Sequence, residues 1–298
     1  MVDNSVIVEK TIRKNKTQPK RVTKKKASAS KVILYAVLIF WAVTTIFPFI
    51  WVIINSFKPS AELLTSSFSL PKEFTLDNYR NAFNNLNILR AYGMSFLISG
   101  SVTVGVIVLS SMMAFAMTRY KFRGKVILDG LLIASLMFPV FSTIIPVYQM
   151  MIKWGLLNSA TSVILPQIAS NLSFATIVMM GFMRSIPIDI EESAYMEGAN
   201  VFTVFTRIIV PISKPAISTV AIFSFLWSYN DLFVQTTMIG KRANYPVCAL
   251  LNEISSKYGT DYGLMAASVT IILIPVFIVY LLLQKNIIKG LTAGAVKG

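Results

Sequence analysis

Seven residues inside otherwise apolar stretches carry groups suited to holding a polar solute. They are amides, one carboxylate and aromatic rings: Gln149, Gln167, Asn171, Trp227, Tyr229, Asn230 and Asp231. Amides and carboxylates hydrogen-bond to hydroxyl groups, and aromatic faces stack on flat apolar faces, so the set suits a hydroxyl-rich ligand. Each residue could instead cap a broken helix, bond between helices or face a neighbouring subunit. The sequence leaves these alternatives open.

The chain lacks the residues for common catalytic arrangements. It contains no histidine and one cysteine, Cys248, which excludes Ser/His/Asp and Cys/His catalysis and an internal disulfide. A metal site would need oxygen ligands or that cysteine. The pair Gly124-Lys125 is not part of a phosphate-binding loop, because no Ser or Thr follows it and no glycine stands five positions earlier. We therefore expect neither enzymatic activity nor a cofactor in this chain.

Membrane helices must position these polar groups. Of the 298 residues, 55% are hydrophobic and 14% charged, whereas globular chains contain roughly 25% charged residues. Six apolar stretches are each long enough to cross a bilayer, which takes about 20 residues. They cover approximately 32–56, 91–118, 130–152, 160–183, 216–240 and 264–284. The sequence predicts an all-α polytopic membrane protein with six transmembrane helices in a domain formed by residues 32–298.

The distribution of basic residues predicts the orientation of these helices. The net charge is +15, and the tail 1–31 contributes +8 of it. With both termini in the cytoplasm, 20 of the 28 Lys and Arg residues lie inside and eight outside, as the positive-inside rule requires. The tail has few apolar residues, so we expect it to be disordered and to contact anionic lipid rather than nucleic acid.

One long cytoplasmic loop, 184–215, joins the fourth and fifth predicted spans. Asp189 stands where an N-cap would, and Glu192 three residues later completes the spacing of a capping box. Gly198 favours the left-handed conformation that ends a helix. A second short helix is predicted over about 201–209, before a pair of prolines. The loop is thus predicted to be a helix, a glycine turn and a second helix.

This loop resembles the signature of permease subunits in binding-protein-dependent ABC importers. The signature reads Glu-Ala-Ala, three residues, Gly, nine residues, Ile, one residue and Leu-Pro. The positions in register are Glu192, Ala194, Gly198, Ile208 and Pro211. Ser193 replaces the first alanine and Val210 the leucine. Over residues 32–298, with the stretches IIPVYQMMIKWGLLNS and LWSYNDLF in support, the chain is most similar to the MalG-like permeases of carbohydrate importers.

The resemblance implies a type I ABC importer permease fold in a bacterial cytoplasmic membrane. It implies one permease subunit of an ATP-driven importer of a carbohydrate, expected to be an oligosaccharide, whose loop docks in a groove of a cytoplasmic ATPase. The residues assigned to docking are Glu191, Glu192, Ser193, Ala194, Tyr195, Met196, Glu197, Gly198, Ile208 and Pro211. Small side chains would allow close approach, and the glutamates would pair with basic groups of the ATPase.

The resemblance also implies the partners. They are a second, homologous permease, two ATPase subunits or a homodimeric ATPase, and an extracellular solute-binding protein; ATP and Mg²⁺ would be bound by the ATPase. The sequence leaves two other functional classes as alternatives: a stand-alone secondary transporter or channel for a small polar solute, and a membrane-anchored interaction protein. The first is disfavoured because the sequence has no internal repeat and no charged intramembrane relay. The sequence does not identify the sugar.

Overall fold

The computed structural model describes residues 29–257 and 261–295, so the predicted basic tail lies outside the described residues except for its last three positions. Every regular element within these ranges is helical. The described residues fall into two compact units, with the boundary between Ile50 and Trp51. The second unit contains the docking loop and all the polar residues singled out above.

The α-helices of the described residues range in length from 3 to 34 residues. In order they are α1 (Ala29–Asn55), α2 (Ser60–Ser66), α3 (Asp77–Leu86), α4 (Ile88–Arg119), α5 (Lys125–Met137), α6 (Val140–Lys153), α7 (Ala160–Met183), α8 (Asp189–Met196), α9 (Val201–Val204), α10 (Val210–Ile212), α11 (Lys214–Asn230), α12 (Leu232–Met238), α13 (Val247–Lys257) and α14 (Tyr262–Ala295).

Three of the described helices, α1, α4 and α7, are continuous and apolar enough to cross a membrane. Two more candidate spans are bent: α5 meets α6 at 104°, and segment Val201–Ile212 meets α11 at 75°. If each bent pair counts as one span, the described residues hold up to five, beside a shorter apolar helix over Tyr262–Ile278. The six-span count and its boundaries therefore stay predictions.

The core of the second unit forms where α4 packs along α7 and α11. On α4, Ile98, Val102 and Val106 are fully buried and four residues apart, which places them on one face of the helix. Met179 and Met183 do the same on α7. Because these faces meet over most of both helices, α4 and α7 form the frame to which the loop between α7 and α11 is attached.

A dense set of hydrogen bonds ties the segment after α1 to the start of α14; we call it the polar junction. Lys58 is fully buried, and its Nζ donates to the carbonyls of Ser66 (3.0 Å) and Ser69 (2.5 Å). The Oγ of Ser60 donates to Asp261 Oδ1 at 2.5 Å. Every one of these groups is satisfied within the chain, so the junction needs no partner to hold its shape.

Asn78 closes the polar junction around a glycine. Its Nδ2 donates to the carbonyls of Ser56 (3.0 Å) and Lys58 (2.8 Å). A Cβ atom on Gly263 would lie 2.8 Å from Asn78 and 2.9 Å from the Lys58 carbonyl. Only glycine allows the backbone of α14 to approach this closely.

Candidate docking loop and polar cavity

The loop after α7 folds as a helical hairpin, which the sequence predicted. Helix α8 ends at Met196, and Gly198 follows with φ of +85°, in the left-handed region that glycine adopts without steric cost. The side chain of Asn200 then accepts a hydrogen bond from the Thr203 amide at 2.8 Å and caps α9. The glycine turn is therefore confirmed, and an asparagine cap that the sequence prediction missed starts the second helix.

The start of α8 and the end of the second helix differ from prediction. The capping box was wrong: α8 begins at Asp189 itself, Ile188 occupies the cap position with helical dihedrals, and no side chain caps it. The second helix does not stop before Pro211. It passes through a π-helical turn, Phe205–Ile209, and continues to Ile212. Pro211 is tolerated because it lies in the first turn of α10, the segment after the π-helical turn, where the N–H that proline lacks would have no partner.

The docking residues expected at the surface lie there with one clear exception. The exposed residues of the set are Glu192, Ser193, Tyr195, Met196, Glu197, Gly198 and Pro211. Ala194 and Ile208 are half-buried. Met196 is 89% exposed and Phe202, which the sequence prediction missed, is 75% exposed. These two apolar side chains project from the two arms of the hairpin with nothing within the described chain covering them.

Glu191 is the exception, and its assignment to docking was wrong. Its side chain is 5% exposed and its Oε1 lies 2.5 Å from Nε of Arg119, the last residue of α4. The Nη2 of Arg119 also donates to the Ile186 carbonyl at 3.1 Å. An ionised carboxylate that loses water needs such a partner. The sequence gave no local signal for this pair, because its members are 72 positions apart.

A second contact joins α4 to α8 beside the ion pair. Partial desolvation raises the pKa of the Tyr195 phenol, and the neighbouring Tyr120 and Glu191 raise it further. Tyr120 directly follows α4, and its ring meets Phe115 edge-on with centroids 5.9 Å apart. The end of α4 thus touches α8 through a charged residue and through an aromatic one.

The structure brings five of the seven predicted solute-binding residues to one cavity of about 400 Å³. They are Gln167, Asn171, Trp227, Asn230 and Asp231. The remaining wall comes from Phe141, Ser170, Ser228 and Phe233. Phe141 lies just after the break between α5 and α6, and its ring centroid is 4.5 Å from that of Phe233. An aromatic pair and a half-exposed Trp227 therefore line the same cavity as several amides and hydroxyls.

Hydrogen bonds between α7 and the α11–α12 segment fix the polar side of this cavity. The Nε2 of Gln167 donates to Asp231 Oδ2 at 2.9 Å, and its Oε1 accepts from the Ser228 hydroxyl at 2.6 Å. The other oxygen of Asp231 accepts from the Val234 amide at 3.0 Å and caps α12. Asp231 thus breaks the predicted fifth span in two and binds the break to α7.

Two predicted solute-binding residues lie elsewhere. Tyr229 is 1% exposed and packs between Phe96 and Phe225, because its position on α11 turns it toward α4 instead of the cavity. Gln149 is exposed on α6 and is not among the lining residues. Ser228 and Ser170 were missed, since serines in apolar helices are common and mark no particular face.

Apolar helices of membrane-crossing length, a polar cavity at two helix breaks and an exposed loop hairpin define a helical membrane transport protein. Residues 106–293 match the family described as binding-protein-dependent transport system inner membrane component. The chain belongs to this family, and it is a transport permease of the ABC importer type rather than an enzyme. A stand-alone secondary transporter or channel does not fit that membership.

Curated relatives match along most of the chain. NgcG of Streptomyces coelicolor, a diacetylchitobiose uptake permease, is 32% identical and the match covers 88% of this chain and 87% of that protein. GanQ of Bacillus subtilis, a galactooligosaccharide transport permease, is 33% identical over 89% of this chain and 94% of its own length. SugB of Mycobacterium tuberculosis, a trehalose transport permease, is 33% identical over 87% and 97%.

Solved structures support the fold. A chain of a bacterial ABC transporter that imports the acidic polysaccharide alginate superposes with a TM-score of 0.75 at 22% identity, covering 87% of this chain and 98% of that one. A chain of a bacterial alginate transporter in complex with its alginate pentasaccharide-bound periplasmic protein gives a TM-score of 0.65 at 14% identity. At these identities the likeness establishes the fold alone.

Proposed function

We propose that this chain is one permease subunit of an ATP-driven importer of a carbohydrate, with an oligosaccharide as the expected substrate. Support comes from relatives at about one third identity whose names specify diacetylchitobiose, galactooligosaccharides and trehalose. The polar and aromatic cavity supports the same substrate class, because sugars combine hydroxyl groups with flat apolar faces.

The observation that carries the proposal is the loop hairpin with its bare apolar tips. Met196 and Phe202 expose most of their surface on a short helical hairpin, and an exposed apolar patch on such an element is typical of a contact site. The proposed occupant is a groove on a cytoplasmic ATPase subunit. The register of the importer signature and membership of the family support this choice of partner over a lipid surface.

The docking proposal is tested by co-expressing the chain with its ATPase and capturing the complex. Replacing residues 192–198 by a Gly/Ser segment of equal length should abolish capture, while the chain still inserts in the membrane. A matched control replaces the exposed turn 121–124 in the same way and should leave capture intact. Capture at the level of the unmodified chain after the first replacement would remove the docking role.

The cavity is proposed as part of the sugar pathway, with stacking on Trp227 and hydrogen bonds to Asn230 and Asp231. Trp227→Ala should raise the KM for uptake about tenfold, because stacking of a sugar ring on an aromatic face contributes about 1 kcal/mol or more. The matched control is Trp154→Ala, since Trp154 is 56% exposed and lies outside the cavity. Equal effects of the two substitutions would argue that the cavity does not hold the sugar.

The remaining assignments concern orientation and partners. Both termini are placed in the cytoplasm, a second permease completes the pathway, and an extracellular solute-binding protein delivers the sugar. The tail 1–31 is placed on anionic lipid. Deleting residues 1–31 should leave assembly with the ATPase intact, and cysteine accessibility at either terminus from the inside of vesicles measures the orientation.

A further inference from the structure

Helix α4 meets the docking hairpin at three places, although three helices separate the two along the chain. Arg119 pairs with Glu191 and donates to the Ile186 carbonyl. Tyr120, directly after α4, lies close enough to Tyr195 to raise the pKa of its phenol. One turn earlier, the ring of Phe115 lies 5.2 Å from that of Phe205 in the π-helical turn. Both arms of the hairpin therefore touch the same end of α4.

The ion pair sits where both helix dipoles favour it. Arg119 lies in the last turn of α4, and Glu191 lies in the first turn of α8. A cation at a helix C-terminus and an anion at a helix N-terminus are each stabilised by the partial charges of the backbone. The two side chains are 9% and 5% exposed, so salt screens this pair less than it screens a surface pair.

A buried ion pair is a weak source of stability, because desolvating two charges offsets much of their attraction. It does impose a distance and a direction that apolar packing does not. Arg119 meets two acceptors at once, a carboxylate of α8 and a carbonyl just before α8. This geometry fixes the orientation of the docking helix relative to α4.

The N-terminal end of α4 contacts the start of α13 and the middle of α14. The Ser95 hydroxyl, near the start of α4, accepts a hydrogen bond from the Val247 amide at 2.8 Å, and Tyr92 donates to the Ile271 carbonyl of α14. Between these contacts and Arg119, α4 is one unbroken helix of 32 residues, about 48 Å long. A displacement applied at Arg119 is therefore carried along the full helix.

We propose that Arg119 is a positioning residue that holds the ATPase-docking helix to α4, so that the two move as one body and transmit the ATPase stroke along α4. This role rests on the proposed function, since it needs an ATPase at the hairpin. It assigns Glu191 and Glu192 to different tasks: Glu191 faces inward to α4, and Glu192 faces outward to the ATPase.

The test uses the complete importer in proteoliposomes, with ATPase capture, ATP hydrolysis and sugar uptake measured on the same preparations. Arg119→Gln should retain capture and hydrolysis and lower the sugar transported per ATP about tenfold, within the range expected for a coupling residue. Arg123→Gln removes an equal charge from the exposed turn that follows α4 and should change nothing. Uptake per ATP at the unsubstituted level in Arg119→Gln would overturn the proposal, and so would loss of capture.

Two further measurements keep the test decisive if Arg119→Gln folds poorly. Arg119→Lys keeps a cation at the end of α4 beside Glu191 and should retain part of the coupling that Arg119→Gln loses, which a role in packing alone would not predict. Cysteines placed at Phe115 and Phe205, whose rings lie 5.2 Å apart outside the docking residues, and bridged by a bifunctional maleimide should leave uptake intact, because α4 and the hairpin are proposed to move together. Inhibition of uptake by the bridge would show that they must separate and would refute the proposal.

Failure of the docking proposal gives a different pattern. If the ATPase does not bind the hairpin, Glu192→Gln will leave capture unchanged in the otherwise unmodified importer. If the ATPase binds but α4 is not coupled, Glu192→Gln will weaken capture while Arg119→Gln leaves uptake per ATP unaltered.

Discussion

The polar junction and the docking hairpin are both built from short helices beside long ones, yet they are held in opposite ways. In the junction, Lys58 and Asn78 saturate backbone carbonyls and leave little to a partner. In the hairpin, Met196 and Phe202 remain bare, and one buried ion pair supplies the main polar tie to α4. A region whose polar groups are paired within the chain suits a fixed support. A region that leaves apolar side chains exposed suits a contact with another protein.

The largest expected effect tests how closely the backbone at Gly263 packs against Asn78 and the Lys58 carbonyl in the polar junction. Gly263→Val should destabilise the folded chain by about 4 kcal/mol, since its Cβ would overlap Asn78 and the Lys58 carbonyl. Thermal unfolding of the purified chain in detergent measures the loss. Gly93→Ala is the control, because a Cβ there meets nothing within 4 Å. Equal unfolding temperatures for both variants would mean that the junction is loose.

The next effect concerns the buried ammonium. Lys58→Met should cost about 3 kcal/mol, because it leaves the carbonyls of Ser66 and Ser69 without their donor. Lys72→Met, at an exposed position of the same segment, should be neutral in the same unfolding measurement. A neutral Lys58→Met would mean that the junction is held by apolar packing, which would weaken the contrast with the hairpin.

On the hairpin, substitutions should spare stability and damage function. Gly198→Asp is expected to uncouple uptake from ATP hydrolysis while the chain inserts normally, because its backbone is in the left-handed region and the new carboxylate faces the docking surface. Gly198→Asn keeps the shape without the charge and tolerates this conformation better, so it should be milder. Uptake at the normal rate in Gly198→Asp would count heavily against the docking role.

A smaller effect is expected at the bare tip of α8. Met196→Ser should leave the unfolding temperature unchanged and reduce ATPase affinity about fivefold, as for a moderate contact residue in an interface. Met137→Ser, at an equally exposed methionine outside the hairpin, should leave the affinity unchanged. Titration of labelled ATPase onto the permease provides the comparison.

The smallest expected effect concerns the reactivity of the Cys248 thiol. Burial raises the pKa of the Cys248 thiol to about 11, and Asp231 adds to the rise. Relative to a thiol with the ordinary pKa of 9.0, Cys248 has about a hundredfold less thiolate at pH 8. Maleimide labelling should therefore be slow at pH 8 and accelerate as the pH rises toward 11. Rapid labelling at pH 8 would show that the thiol is more open than its contact with the Tyr229 carbonyl implies.

The glycine turn was predictable from the sequence, whereas distant pairings were not, and the helix caps beside the turn were predicted wrongly or missed. Gly198 ends a helix for reasons contained in its own backbone, so the hairpin was predicted. The inward turn of Glu191 depends on Arg119, far away along the chain, and the sequence placed it on the surface. For Asp231 the sequence left a helix cap open as an alternative, and the structure confirms that cap; the bond from Gln167, 64 positions away, had no local signal.

The π-helical turn over Phe205–Ile209 has a consequence for how side chains are phased along the hairpin. Val204 and Ile209 are both fully buried although they are five residues apart, a spacing that an ideal α-helical wheel would place about 140° apart. The wider turn brings them to the same side. Deleting one residue within this turn would convert it to a regular α-helix with its hydrogen bonding intact. Val204 and Ile209 would then stand four residues apart, a spacing that an α-helix places on one side, so the facing of the following side chains would be kept while the π-helical turn is lost.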